Sequence, residues 1–120
     1  MLVKSSIARR MFSADEVLVP AQSLLDLDGV SRANLDEVTY YHILFDRHEI
    51  IEANGAYSES LYTGPEAMKS LEGAQRDEIH AIFPEVREID YTAKPARALA
   101  KTSTGAILVK RHIMADQKLM

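Results

Sequence analysis

Apolar residues are most concentrated at positions 38–45, VTYYHILF, where both faces of an extended chain would carry apolar or aromatic side chains. This pattern is typical of a strand that is covered on both sides. We therefore predict a buried strand here. Asp46-Arg47 would form the turn after it, and residues 50–53 would continue as the return strand.

Asn54-Gly55 is the clearest turn signal in the chain. A two-residue type I′ turn needs positive φ at both central positions, which Asn and Gly adopt more readily than other residues. Residues 57–61 would then be a third strand. The pattern thus predicts a β core of hairpins at about 37–61.

Short elements are predicted before this region. Leu2-Val3 and residues 17–19 have strand character, and Ser5-Ser6 can cap a helix that ends at Phe12. Pro20 is favoured at a first helical position and would open a short helix ending at Leu25. Residues 26–36 contain Gly29 and several polar residues, which predicts a loop.

Helices are predicted after the β core, over residues 64–83. Thr63 would cap the first, with Pro65 near its first position. The second would run from Ala74 to Ile82 and stop before Pro84. Residues 105–114 fit a strand, a short helix or a segment ordered only by a partner, and we expect residues 99–120 to be a mobile C-terminal tail.

Composition narrows the classes of function. The chain has 120 residues, no cysteine and a net charge of −4. An acidic balance argues against a nucleic-acid or membrane-surface partner, because phosphate contacts need a basic face. The first residues have no apolar core of a signal peptide, so a cytoplasmic location is the default expectation and the compartment stays open.

The motif residues between positions 40 and 55 resemble the C-terminal motif of Hint domains, the self-processing fold shared by hedgehog autoprocessing domains and inteins. In that family an aromatic-rich strand leads to a histidine, which is followed by a hydrophobic strand and an Asn-Gly turn. The matching residues here are Tyr40-Tyr41, Ile43-Leu44, His48, Ile50-Ile51 and Asn54-Gly55.

The similarity is closer to a bacterial Hint-like subfamily, through EVLVPAQSLL at positions 16–25 and through Phe83-Pro84-Glu85. The resemblance implies an α+β fold, mainly β with α. Residues 1–98 would be the C-terminal part of a Hint-like β-fold, with hairpins at 37–61 followed by short helices at 64–83.

Family chemistry begins with an acyl shift onto a nucleophile, usually Cys, at the first residue of the domain, assisted by a histidine. This chain has no cysteine, and its N-terminus resembles the segment directly after that histidine. Since covalent catalysis needs a nucleophile and a base within reach, we expect a C-terminal portion that is catalytically inactive alone. Inteins finish by cyclising an Asn whose counterpart here is Ser60, and a serine cannot form a succinimide, so splicing is not expected.

His48 is the candidate catalytic residue, because it occupies the position of the family motif histidine. A purely structural role, such as holding the turn at 46–48, is the alternative. His42 and His48 with Asp46 or Glu52 could form a metal site, but their spacing matches no signature, so no metal or other cofactor is predicted. Glu52 and Glu59 flank the Asn-Gly turn and are expected to be solvated.

The remaining motif residues have expected structural roles. Ser58 and Ser60 have no base nearby in sequence, so a hydrolase triad is not supported. Tyr40 and Tyr41 are expected to pack in the core and at a strand edge rather than to stack on bases.

Three functions remain open. The first is the C-terminal portion of a self-processing domain, whose partner would be an N-terminal half in trans. The second is a stand-alone binding or scaffolding module that forms a homodimer, because half a β-fold leaves strand edges unpaired. The third is an independent enzyme.

Overall fold

A three-stranded sheet with two helices packed on it forms the core of the α+β fold. The structure is a computed structural model that describes all 120 residues. Strands β1 (Leu2–Lys4), β2 (Glu16–Leu18) and β5 (Ala98–Leu99) lie in the order β1-β2-β5. The β1/β2 pair is antiparallel and the β2/β5 pair parallel. The predicted strands at residues 2–3 and 17–19 are confirmed. The buried apolar cluster comprises Val3, Ile7, Ala8, Val17, Val19, Leu24, Ala100, Leu108 and Val109.

An ion pair lies beside the sheet where β2 meets the segment before β5. The Arg97 guanidinium donates a hydrogen bond to the Glu16 carboxylate, and Lys4 Nζ lies 3.7 Å from the same carboxylate. The hydrogen bond from Arg97 holds the pKa of Glu16 below its usual range, and the positive charge of Lys4 acts in the same direction. The ionised carboxylate therefore favours the docking of β5 on β2.

Helix α1 (Ser6–Phe12) begins at the expected serine. Ser5 Oγ accepts a hydrogen bond of 3.0 Å from the Ala8 N–H, which satisfies one of the free donors of the first turn. The same hydroxyl lies 2.7 Å from Nε2 of His112, which is 1 % exposed. His112 Nδ1–H donates to the Leu108 carbonyl at 2.7 Å, so the ring links the start of α1 to the C-terminal helix.

The predicted tail is wrong, because residues 99–120 contain helix α4 (Thr102–Met114), which follows β5 and completes the core. Buried residues recur along α4 at Gly105, Leu108, Val109 and His112, which is one face of a helix. A Cβ at Gly105 would lie 2.6 Å from Ser23 Oγ, so glycine allows α4 to approach the 3₁₀ turn at Ala21–Leu24 closely. Ser23 Oγ donates to the Thr102 carbonyl at 2.8 Å.

The helices predicted at 64–83 are present as α2 (Pro65–Lys69) and α3 (Gly73–Ile82), followed by a 3₁₀ turn at Pro84–Arg87. Thr63 does not cap α2: Gly64 is the N-cap, and Thr63 Oγ1 instead forms a 2.5 Å hydrogen bond with the Tyr91 hydroxyl. Helix α3 starts with a reciprocal capping box between Glu72 and Gln75. None of these helices has the length and apolar character needed to cross a bilayer.

The buried strand predicted at 38–45 is wrong. These residues form no strand, and Tyr40 and Tyr41 are 78 % and 90 % exposed rather than packed in a core. The physical reason is that no neighbouring strand pairs with this segment on either side. The region 37–61 is therefore not the core. Its regular structure is the hairpin of β3 (Ile50–Ala53) and β4 (Ala56–Glu59), which confirms the return strand and the strand after the Asn-Gly turn.

We predict that Ser5→Ala destabilises the fold by roughly 2–3 kcal/mol, because it removes the α1 cap and leaves His112 Nε2 without its partner. The neighbouring Ser6→Ala is the matched control, since Ser6 is exposed and makes one long surface bond of 3.3 Å with Gln117. Urea unfolding followed by circular dichroism measures both. Equal midpoints for the two variants would contradict the linking role of Ser5 and His112.

Candidate functional site

The β3–β4 hairpin positions the motif histidine. Asn54 and Gly55 have φ of 53° and 78°, as a type I′ turn requires, so the turn predicted from this pair is confirmed. The turn fixes the register, in which Ile50 pairs with Glu59 and Ala53 with Ala56. Continued two residues beyond Ile50, this register places His48 opposite Leu61 and diagonal to Glu59, within reach of a long side chain.

Both ring nitrogens of His48 are engaged in hydrogen bonds. The Ala96 N–H donates to Nδ1 at 2.8 Å, and Nε2 lies 2.7 Å from Glu59 Oε2. A nitrogen that accepts from a backbone N–H carries no proton, so these partners assign the proton to Nε2, which donates to the carboxylate. The side chain is 2 % exposed, and its ring centroid lies 5.1 Å from that of Tyr62.

This arrangement joins two parts of the chain that are far apart in sequence. The ring attaches the base of the hairpin to the segment before β5 by a bond spanning 48 residues. A general base needs a free lone pair within reach of the proton it removes. The lone pair of His48 Nδ1 is already occupied by the Ala96 amide, so the geometry suits a structural clamp.

Ser60 forms two hydrogen bonds with the backbone of Glu49. It is 2 % exposed; its Oγ accepts from the Glu49 N–H at 2.9 Å, and its own N–H donates to the Glu49 carbonyl at 2.9 Å. These two bonds extend the hairpin beyond Ile50 toward His48. Ser60 therefore fixes the position from which the His48 side chain projects.

The structure does not gather the other predicted residues around His48. Tyr40, Tyr41 and His42 are exposed on the preceding segment, and Asn54-Gly55 forms the opposite end of the hairpin. Asp46 is exposed in the bend at Asp46-Arg47 and lines the same cleft as His48, of about 360 Å³. No three His, Cys, Asp or Glu side chains converge as metal ligands would, and His42 and His48 do not share a site.

Three partners of His48 were not predicted. Glu59 was expected to be solvated; its side chain is 41 % exposed but bonds the histidine. The predicted Asn-Gly turn contains the signal for this pair, because a two-residue turn sets every pairing along the hairpin. The contact of Tyr62 with the ring and the backbone donor of Ala96 have no local signal in the sequence.

A family model described as the Hint domain matches residues 1–65. The matched range includes β1, α1, β2, residues 38–45, the hairpin and His48. Comparison with curated proteins and with solved structures gives no match.

We predict that His48→Ala lowers stability by roughly 2–3 kcal/mol, because it removes two hydrogen bonds and leaves the Ala96 N–H unpaired. His42→Ala is the control, since His42 is exposed, and should change stability by no more than about 0.5 kcal/mol. Urea unfolding gives the two values, and hydrogen exchange of the Ala96 amide localises the effect. An Ala96 amide that exchanges equally fast in both variants would contradict the clamp.

Proposed function

The chain belongs to the Hint domain family, and we propose that it is a portion of a self-processing domain that carries the C-terminal motif and does not process itself alone. The observation that carries this proposal is the state of the motif histidine. Both ring nitrogens of His48 form hydrogen bonds, one with Ala96 and one with Glu59, which leaves no lone pair for a reacting group. The absence of cysteine from the 120 residues supports it further.

The missing step is the acyl shift. A nucleophile must attack a backbone carbonyl while a base removes its proton, and the amide is exchanged for an ester or thioester. Ser60, the residue at the position of the terminal intein asparagine, has its Oγ bonded to the Glu49 N–H inside the hairpin. His48 and Ser60 thus have structural partners in place of reacting ones.

We predict that the purified chain keeps its intact mass during prolonged incubation at neutral pH, with or without dithiothreitol or hydroxylamine. Hydroxylamine would cleave any ester or thioester formed by an acyl shift. Mass spectrometry is the measurement. Two products whose masses add up to the chain plus the cleaving molecule would contradict the proposal. If His48→Ala were cleaved as well, the cleavage would not depend on the motif histidine.

A second candidate function, association with another chain, is supported by an unusually open surface. The accessible surface is 8896 Å², whereas a folded monomer of 13.4 kDa exposes about 6500 Å². The radius of gyration is 15.9 Å, against about 14 Å for a compact domain of this length. The difference of about 2400 Å² per chain is of the size that an obligate interface buries on each partner.

The apolar part of this surface is concentrated in residues 35–45, which we call the exposed segment. Leu35, Tyr40, Tyr41 and Ile43 are each more than half exposed. Residues 38–45 make a single backbone hydrogen bond, from the Leu61 N–H to the Ile43 carbonyl at 2.7 Å. A strand-like sequence with unpaired backbone groups is a template for a further strand. We propose that a second copy, or an N-terminal half of a Hint domain, supplies it.

We predict that the chain forms a dimer in light scattering at high concentration, and that the double variant Tyr40→Asp/Tyr41→Asp is a monomer, because charge on the exposed segment opposes its burial. The matched control is Ile89→Asp/Met114→Asp. It adds the same charge at two apolar residues that are 106 % and 87 % exposed outside the segment. A wild-type mass of one chain at high concentration would contradict the homodimer. Dissociation by the control pair alone would refute the assignment of the interface to this segment.

A further inference from the structure

A groove beside the His48 clamp combines two adjoining cavities. The first, of about 360 Å³, reaches from Phe45 to Ala96, and the second, of about 750 Å³, extends to helices α2 and α3. The two cavities share the residues of the groove floor, which are Tyr62, Thr63, Tyr91, Thr92 and Ala93. A hydrogen bond between the Thr63 and Tyr91 hydroxyls holds this floor together, as does the bond that the Tyr62 hydroxyl donates to the Ala93 carbonyl.

The groove is basic although the chain is acidic. The whole sequence has 18 acidic and 14 basic residues. The groove, by contrast, is lined by four Lys or Arg side chains and by Asp46 as its one carboxylate. Arg47 and Lys94 line the first cavity, and Lys69 and Arg76 line the second. Arg47 Nε lies 4.0 Å from the Glu49 carboxylate, so Lys94 is the cation of the first cavity without an ion-pair partner. Each end of the groove therefore has at least one such cation, Lys94 at the first cavity and Arg76 at the second.

The basic side chains at the second cavity are available to a ligand. Arg76 makes no ion pair within the chain, and Nη1 donates to the Leu71 carbonyl at 2.8 Å, which fixes the guanidinium. His80 lies one helical turn further along α3 and lines the same cavity. Lys69 contacts Glu66 at 3.2 Å, but both side chains are largely exposed, so this pair is weak and exchangeable.

The groove also has apolar surface between its charged ends. Met68, Pro65 and Val86 line the second cavity together with Tyr62 and Tyr91. A small inorganic anion would meet one end and leave this surface empty. A flexible chain with spaced carboxylates would contact both ends and place an apolar side chain between them.

We propose that this groove binds an extended acidic peptide that carries apolar residues between its carboxylates. Charge complementarity supplies the specificity, and the apolar floor supplies contact area. The groove shares only Phe45 with the exposed segment, and the inference does not depend on the proposed function.

The test is fluorescence anisotropy with a labelled peptide in which glutamate alternates with leucine, and with the same peptide carrying lysine for glutamate. We expect the glutamate peptide alone to bind, and binding to weaken as salt rises from about 0.05 M to about 0.5 M. Lys69→Glu/Lys94→Glu, which changes one exposed lysine at each end of the groove, should weaken binding at least about tenfold, as should Arg76→Gln.

Lys110→Glu/Lys118→Glu is the matched control, because it makes the same change in charge at two exposed lysines on or after α4. The proposal predicts unchanged affinity for this variant. An equal loss in the control would show a non-specific charge effect and overturn the site. Complete displacement by inorganic phosphate, or tighter binding of a single-stranded oligonucleotide, would also overturn it in favour of a simple anion or a nucleic acid. Circular dichroism of each variant verifies folding.

Discussion

The hydrogen bonds of His48 are the constraint on which the arrangement outside the core depends. They tie the base of the hairpin to Ala96, and the next residue, Arg97, is bonded to Glu16 on β2. Strand β5 follows at once and pairs with β2. One buried imidazole thus relates the hairpin to the main sheet, and it sets the position of residues 91–96, which form one side of the basic groove.

The core and the hairpin region differ in how completely their apolar residues are buried. The sheet with α1 and α4 buries the valines and leucines at both ends of the chain. Between them, aromatic and branched residues of the exposed segment face solvent. Because burial of apolar area is the main favourable term in folding, a segment of this composition is more stable when covered. This contrast is the physical basis for proposing that the Hint-family portion acts together with another chain.

Two features of the structure that the sequence predictions above do not include have a local signal in the sequence. The Asn-Gly turn was predicted, and its register alone places Glu59 diagonal to His48, yet Glu59 was expected to be solvated. Gly105, Leu108, Val109 and His112 follow a helical spacing, although the C-terminal residues were expected to be a tail. Turn register and helical spacing are both local properties, so residues close together in sequence encode both features.

Other features could not be predicted from local pattern. Residues 38–45 have the composition of a buried strand, but whether a strand forms depends on a neighbour that the segment does not itself encode. The donor to His48 Nδ1 is the backbone N–H of Ala96. Because every residue except proline has a backbone N–H, the residue type at this position does not indicate the bond. The hydrogen-bond partners of His48 therefore follow only from the three-dimensional arrangement.

The most direct test of the clamp is the protonation pattern of the His48 ring, read by long-range proton–nitrogen NMR correlation at neutral pH. The account predicts a proton on Nε2 and an unprotonated Nδ1, distinct from the exposed His42 ring, which serves as the internal reference. A proton on Nδ1, or a spectrum averaged like that of His42, would show that the Ala96 and Glu59 bonds do not hold the ring. His48 would then be free for chemistry, which would contradict the central claim.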